Sequence, residues 1–386
     1  MGKIALVLSG GGFRGAFQAG ALQVIKENWK SISPDRAEPS FDIVSGVSVG
    51  ALNGLLTAEN KLDDLMGIWQ EIAEKGMGVI YNSDFIDTHL DEDTDNPKLK
   101  FNLTWDTIKK YFPKTTGNLL LKLLFSRKSL FTSAAREFQF IRALGDNSPL
   151  LEKIKKYARR DLLQSCIFRC GFVSLDTGDY YSVGACDYET DEDFARGVLA
   201  STAIPIIWPP VDRIKTNKGI LRQCVDGGIK NVSPLRYVIE EIKNDPRPED
   251  YTIVIINCST GKIANDNYRH KSLSQIALRS LNDIAITEIF NNDIRDFVTK
   301  NFIVKQIRED HPDQVVHDFD FEKNQPGKPL QYFKSIVIQP DHDVLGDPLT
   351  ANARQIRLRI EHGREKARTA LKLFHGSEQG NKTTIV

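Results

Sequence analysis

The sequence predicts an α/β sandwich, with helices on both faces of a mainly parallel sheet. Two observations lead there. Short continuous apolar runs such as IALVL (4–8), typical of strands buried on both faces, alternate with segments of helical spacing. At 386 residues and 41% hydrophobic composition, the chain can also bury a substantial core, and its length calls for a large domain with an insertion, or for two domains.

The first fifty-odd residues have the pattern of a βαβα unit. IALVL is the first strand, and after three glycines Phe17, Ala21, Val24 and Ile25 repeat at helical spacing. FDIVSG is the second strand, and ALNGLLTA starts the second helix. From about 82 to 160 the texture changes: an acidic loop, DEDTDNPK, precedes helical segments including GNLLLKLLFSRKSLF and LLEKIKKYARR. This region reads as a mostly helical insertion or lid, either packed on the core or interfacial. Strand patterns return at CIFRCGFVSL and DYYSVGA, joined by the turn DTG. DEDFARGVLAS is a capped helix, followed by the stiff loop TAIPIIWPPV. Further strands are expected at YTIVIINC, FIVKQI and SIVIQP, with a helical stretch over about 271–299 between the first two. The stretch near 308–330 is irregular. A last helix over about 350–374 aligns Ile356, Ile360, Ala367, Leu371 and Phe374 on one stripe. Residues 376–386 read as a flexible tail.

Lysine plus arginine equals aspartate plus glutamate, 51 against 51, which gives no general attraction to nucleic acid or to an anionic membrane. Five cysteines without paired spacing or a nearby histidine argue against a zinc site and for reduced thiols in the cytoplasm. MGKIALVLSGGG reads as too short for a secretory signal, with glycines interrupting its apolar stretch. No run approaches the roughly 20 apolar residues needed to span a bilayer.

GVSVG, Gly46 to Gly50, fits the G-x-S-x-G turn that exposes a nucleophilic serine between a strand and a helix. Ser48 is therefore a candidate nucleophile, or else a small residue in a tight turn. A serine needs a base, and none of the seven histidines has a site-like context. In CVDGGIKNVSP, Asp226 ends a short apolar run and could take the serine proton directly, although D-G is also an ordinary turn signal. GGGFRG, Gly10 to Gly15, brings bare backbone to a helix N-terminus, where a phosphate, a cofactor or a developing oxyanion would be received. It fits neither the dinucleotide fingerprint nor the P-loop. Arg14 either binds an anion or braces the loop.

Taken together, GGGFRG, GVSVG and DGG (Asp226–Gly228), in that order, resemble the motifs of the patatin-like phospholipases. ASTAIPIIWPPV, the Asn and Pro after DGG, and the Gly363 helix agree with this. The resemblance implies a three-layer α/β/α sandwich over residues 1–375. It implies a Ser48 nucleophile, an Asp226 general base and an oxyanion hole at Gly10, Gly11, Gly12, Phe13, Arg14 and Gly15. The donors within that loop would be Gly11, Gly12 and the Phe13 or Arg14 amide. Gly46, Gly50, Gly227 and Gly228 would be motif glycines. It further implies no metal or cofactor, a phospholipid or other acyl-lipid substrate, and peripheral membrane contact. Two alternatives stay open: an acyltransferase or general esterase, and a ligand- or partner-gated membrane-degrading effector of the kind used in bacterial antiviral signalling. An α/β-hydrolase fits less well, because Ser48 follows a single βα unit.

Overall fold

The computed structural model describes residues 2–87, 97, 100, 102, 104–111, 113, 141–259, 261–263, 265, 267–271, 273–320, 323–342, 344–376 and 383–386. Its first strands are β1 (Lys3–Leu8), β2 (Ile43–Val47), β3 (Ile167–Ser174) and β4 (Tyr180–Gly184). A hairpin, β5 (Ile214–Thr216) and β6 (Gly219–Leu221), precedes β7 (Cys224–Asp226) and β8 (Tyr251–Ile256). A second hairpin, β9 (His317–Asp320) and β10 (Gln325–Pro329), is followed by β11 (Lys334–Ile338) and β12 (Thr383–Ile385).

The main sheet runs β12–β11–β8–β1–β2–β3–β4, with β7 also on β3. Every pair from β12 to β3 is parallel, while β4 and β7 lie antiparallel to β3.

Helices α1 (Gly15–Glu27), α2 (Val49–Ala58) and α3 (Leu62–Lys75) follow the first strands. Next come α4 (Trp105–Tyr111), α5 (Ser148–Lys155), α6 (Asp191–Thr202) and α7 (Leu235–Asn244). The last three are α8 (Leu273–Leu278), α9 (Ile286–Asp310) and α10 (Ala353–Gly376). Side chains of a strand alternate between its faces, so β1 sends Ile4, Leu6 and Leu8 into a core shared with α1, α2, α3, α6 and α10. Ala5 and Val7 enter a second core under α7 and α9. The result is the expected three-layer sandwich. Helices α1 and α10 touch backbone to backbone at two glycines. A Cβ on Gly20 would lie 2.0 Å from the Ile360 carbonyl, and one on Gly363 2.0 Å from that of Phe17.

Two expectations are corrected. FIVKQI is not a strand but part of α9, where Ile294, Phe297 and Val304 are buried at helical spacing while Phe302 and Ile303 face outward. The C-terminal residues are not all frayed: Thr383–Ile385 extends the sheet beside Ser335–Val337, and the Val386 amide donates to the Val337 carbonyl at 3.0 Å. Pairing satisfies backbone groups that β11 would otherwise leave open on its outer side. The stretch near 308–330 includes the β9–β10 hairpin. The segment GNLLLKLLFSRKSLF lies outside the described residues. Among the described residues, no helix is long and apolar enough to cross a membrane.

Candidate active site

Strand β3 brings the two candidate catalytic residues together. On one side it pairs with β4 over Arg169–Val173. On the other it pairs with β2 as far as Val47 opposite Gly171, and with β7 from Asp226 opposite Phe172. Strands β2 and β7 thus abut end to end along one side of β3. Ser48, just past the end of β2, meets Asp226, the last residue of β7.

Ser48 sits at φ 57, ψ −129, a left-handed conformation costly for a residue with a Cβ, by about 1–3 kcal/mol. The turn is held on both flanks. The Ser48 amide donates to Ser201 Oγ at 2.9 Å, and the Ser201 hydroxyl donates to the Gly171 carbonyl at 2.6 Å. A Cβ on Gly46 would lie 2.1 Å from the Gly50 carbonyl, and one on Gly50 2.3 Å from that of Leu8, so the elbow closes only with glycine at both positions.

Asp226 is 5% exposed, and burial raises its carboxyl to about 7. The Ser48 side chain and the Gly228 amide, the latter 2.7 Å from Oδ1, stabilise the charged form and oppose that rise. Gly227 permits close packing, since a Cβ there would lie 2.6 Å from the Gly171 carbonyl. No histidine lines the cavity at Ser48 among the described residues. His362 is buried against Phe17, and its Nε2 accepts from the Asp341 amide at 3.0 Å.

The glycine loop lies beside Ser48: a Cβ on Gly10 would sit 3.3 Å from that of Ser48. Four of its six amides are already engaged. Gly10 donates to the Val232 carbonyl at 3.0 Å, Phe13 to Pro348 at 2.8 Å and Arg14 to Gly11 at 3.1 Å. The Gly15 amide turns back to the Gly12 and Phe13 carbonyls. Only the amides of Gly11 and Gly12 have no hydrogen-bond partner among the described residues, so the expected Phe13 or Arg14 donor is withdrawn. Gln18 braces the loop from beneath, its Nε2 donating to the Ser9 and Ile256 carbonyls at 2.9 and 3.1 Å.

Arg14 is a brace rather than an anion site, its Nε and Nη2 donating to the Gly346 carbonyl at 2.7 and 2.5 Å. The strap that it grips, residues 345–350, was not visible as a site component in the sequence. Arg359, 1% exposed, holds the same strap through the carbonyls of Leu345, Asp347 and Thr350. Burial lowers the Arg359 guanidinium to about 9. Gly12 fits under the strap at φ 54, where a Cβ would lie 2.2 Å from the Pro348 carbonyl.

A cavity of about 120 Å³ opens from Ser48 and Gly12 between α2, α3 and α5. Its wall is mainly aliphatic and aromatic, including Leu56, Ile72, Ile154 and Trp208. Such a lining suits a hydrocarbon chain.

The family model for patatin-like phospholipases matches residues 6–239, a span that includes the glycine loop, Ser48 and Asp226. The chain belongs to this family, whose activity is lipid acyl hydrolysis. No curated protein matches the sequence. Among solved structures, the crystal structure of VipD from Legionella pneumophila is similar, with a TM-score of 0.39 and 14% identity, covering 96% of this chain and 67% of that one.

Proposed function

We propose that the protein is a serine lipid acyl hydrolase, cleaving fatty-acyl esters of phospholipids or related lipids through an acyl-enzyme on Ser48. One observation carries the reading: a strained serine meets a buried aspartate at the mouth of an apolar cavity. Ser48 Oγ attacks the ester carbonyl as the Asp226 carboxylate takes its proton. The Gly11 and Gly12 amides receive the developing oxyanion, each such donor supplying about 3–4 kcal/mol of barrier reduction. The leaving alcohol takes the proton back from Asp226, and the acyl chain stays in the cavity. Asp226 then deprotonates a water, which attacks the acyl-enzyme and frees the fatty acid and Ser48. Because an aspartate near 3.8 is a weak base for an alcohol, the upward shift to about 7 improves the match to neutral pH. Leu175 and Ile206, on loops, and Ile220, in β6, are each about half exposed and are the residues we assign to contact with the lipid surface.

The test is fatty-acid release from mixed phospholipid vesicles in EDTA, by the native protein and by Ser48→Ala and Asp226→Asn. Release that both substitutions abolish is expected. Release that survives Ser48→Ala would move the chemistry elsewhere.

A further inference from the structure

The end of α6 holds both members of the dyad by their backbones. The Ser48 amide donates to Ser201 Oγ at 2.9 Å. The Asp226 amide donates, also at 2.9 Å, to the carbonyl of Ala203, the C-cap residue of the same helix. The Ser201 hydroxyl in turn donates to the Gly171 carbonyl at 2.6 Å. Val47 opposite Gly171 is the last pair of the β2–β3 ladder, and Asp226 opposite Phe172 is where β7 lies on β3 instead. Ser201 therefore reaches the join between β2 and β7, and its hydroxyl links the first amide beyond β2 to a carbonyl of β3.

That amide needs an anchor. The Ser48 carbonyl is fixed by α2, where it accepts from the Ala51 amide at 2.9 Å, while the amide side of the turn is held through Ser201. A strained backbone persists only where its surroundings over-determine it. Ser201 is fully buried, so losing its hydroxyl would leave a buried amide and a buried carbonyl without that partner, and the Val47–Ser48 peptide free to relax. The helix that carries Ser201 is a firm support. Thr190 caps its start, accepting from the Asp193 amide at 3.0 Å, and Phe194, Ala195 and Val198 are packed into the core. A helix end also leaves carbonyls to be satisfied, and the bond from the Asp226 amide does this while fixing where β7 ends.

We propose that Ser201 is a positioning residue for the reaction: together with the Ala203 carbonyl it sets the approach of Ser48 Oγ to the Asp226 carboxylate, and so the rate of proton transfer. This rests on the reading of Ser48 and Asp226 as the catalytic dyad. Ser201 is not part of the cavity wall, so its loss should act on the chemical step and not on substrate binding.

The test compares the native protein with Ser201→Ala. Hydrolysis of p-nitrophenyl butyrate gives kcat and KM, the rate of fluorophosphonate labelling gives the reactivity of Ser48, and thermal unfolding gives stability. Ser201→Ala should lose about tenfold or more in kcat and in labelling rate, with KM within about twofold of native. If that variant does not fold, Ser201→Cys, close in size but a weak hydrogen-bonding group, is read in its place, and should lose about fivefold in both rates. Rates within about twofold of native in the folded variant, whatever its melting temperature, would reduce Ser201 to a structural residue and overturn the proposal. A loss carried by KM would overturn it too. A native protein inert to both ester and probe would strike the dyad reading and this role with it, whereas an active native protein with an unchanged variant strikes this role alone.

Discussion

Replacing Asp226 by asparagine should remove activity and yet stabilise the fold at neutral and alkaline pH. The carboxyl is buried, and its ionisation moves from an ordinary value of 3.8 to about 7. In the native state it therefore holds a proton that the unfolded chain has already released between pH 4 and 7. Over that window the native state binds more protons than the unfolded one, so native stability falls as pH rises and levels off above about 7. The full difference corresponds to about 4 kcal/mol. Asparagine keeps an oxygen for the Gly228 amide and does not titrate, so it escapes this loss. The assay is unfolding of both proteins from pH 4 to 9. The stability gap should be small near pH 4 and widen in favour of Asp226→Asn up to about pH 7. A gap independent of pH, or a variant less stable than the native protein at pH 8, would refute the argument. In the native enzyme kcat/KM should fall as pH drops through about 7, because a protonated Asp226 cannot accept the Ser48 proton.

Two further substitutions probe the loop and the cavity. Gly12→Ala places a Cβ 2.2 Å from the Pro348 carbonyl at a positive φ, so it should displace the 345–350 strap and one oxyanion donor, lowering kcat at least a hundredfold with the fold retained by circular dichroism. Leu56→Trp fills a cavity that Leu56 lines, at a packing cost of about 1–3 kcal/mol. Turnover of a palmitoyl ester should fall at least tenfold relative to an acetyl ester, and equal losses on both would place the acyl chain elsewhere.

The N-terminal half of the site could be read from the chain because its constraints are local. Gly46 is needed within the elbow itself, Gly50 lets the elbow pass the end of β1 in the same βα unit, and three glycines in a row have few structural uses. Asp226 was visible only through its motif, since its pairing with Ser48 depends on how β2 and β7 share β3, a long-range register. Ser201 stood in the capped helix DEDFARGVLAS, but its bond to the Ser48 amide exists only in the assembled fold. The strap at 345–350 carries no sequence signal, because it acts through carbonyls gripped by Arg14 and Arg359. FIVKQI misled because its apolar residues are consecutive, whereas in α9 only Val304 of the run is buried and Phe302 and Ile303 face outward. The C-terminal strand was hidden by a polar approach, and only the open side of β11 explains it.

The most direct test of the central claim is covalent labelling with a fluorophosphonate followed by peptide mass spectrometry. Reaction at Ser48, lost in Ser48→Ala and suppressed in Asp226→Asn, is the predicted result. Labelling at another serine, or none in a protein that binds long-chain fatty acid in the cavity, would contradict the assignment of Ser48 as the nucleophile.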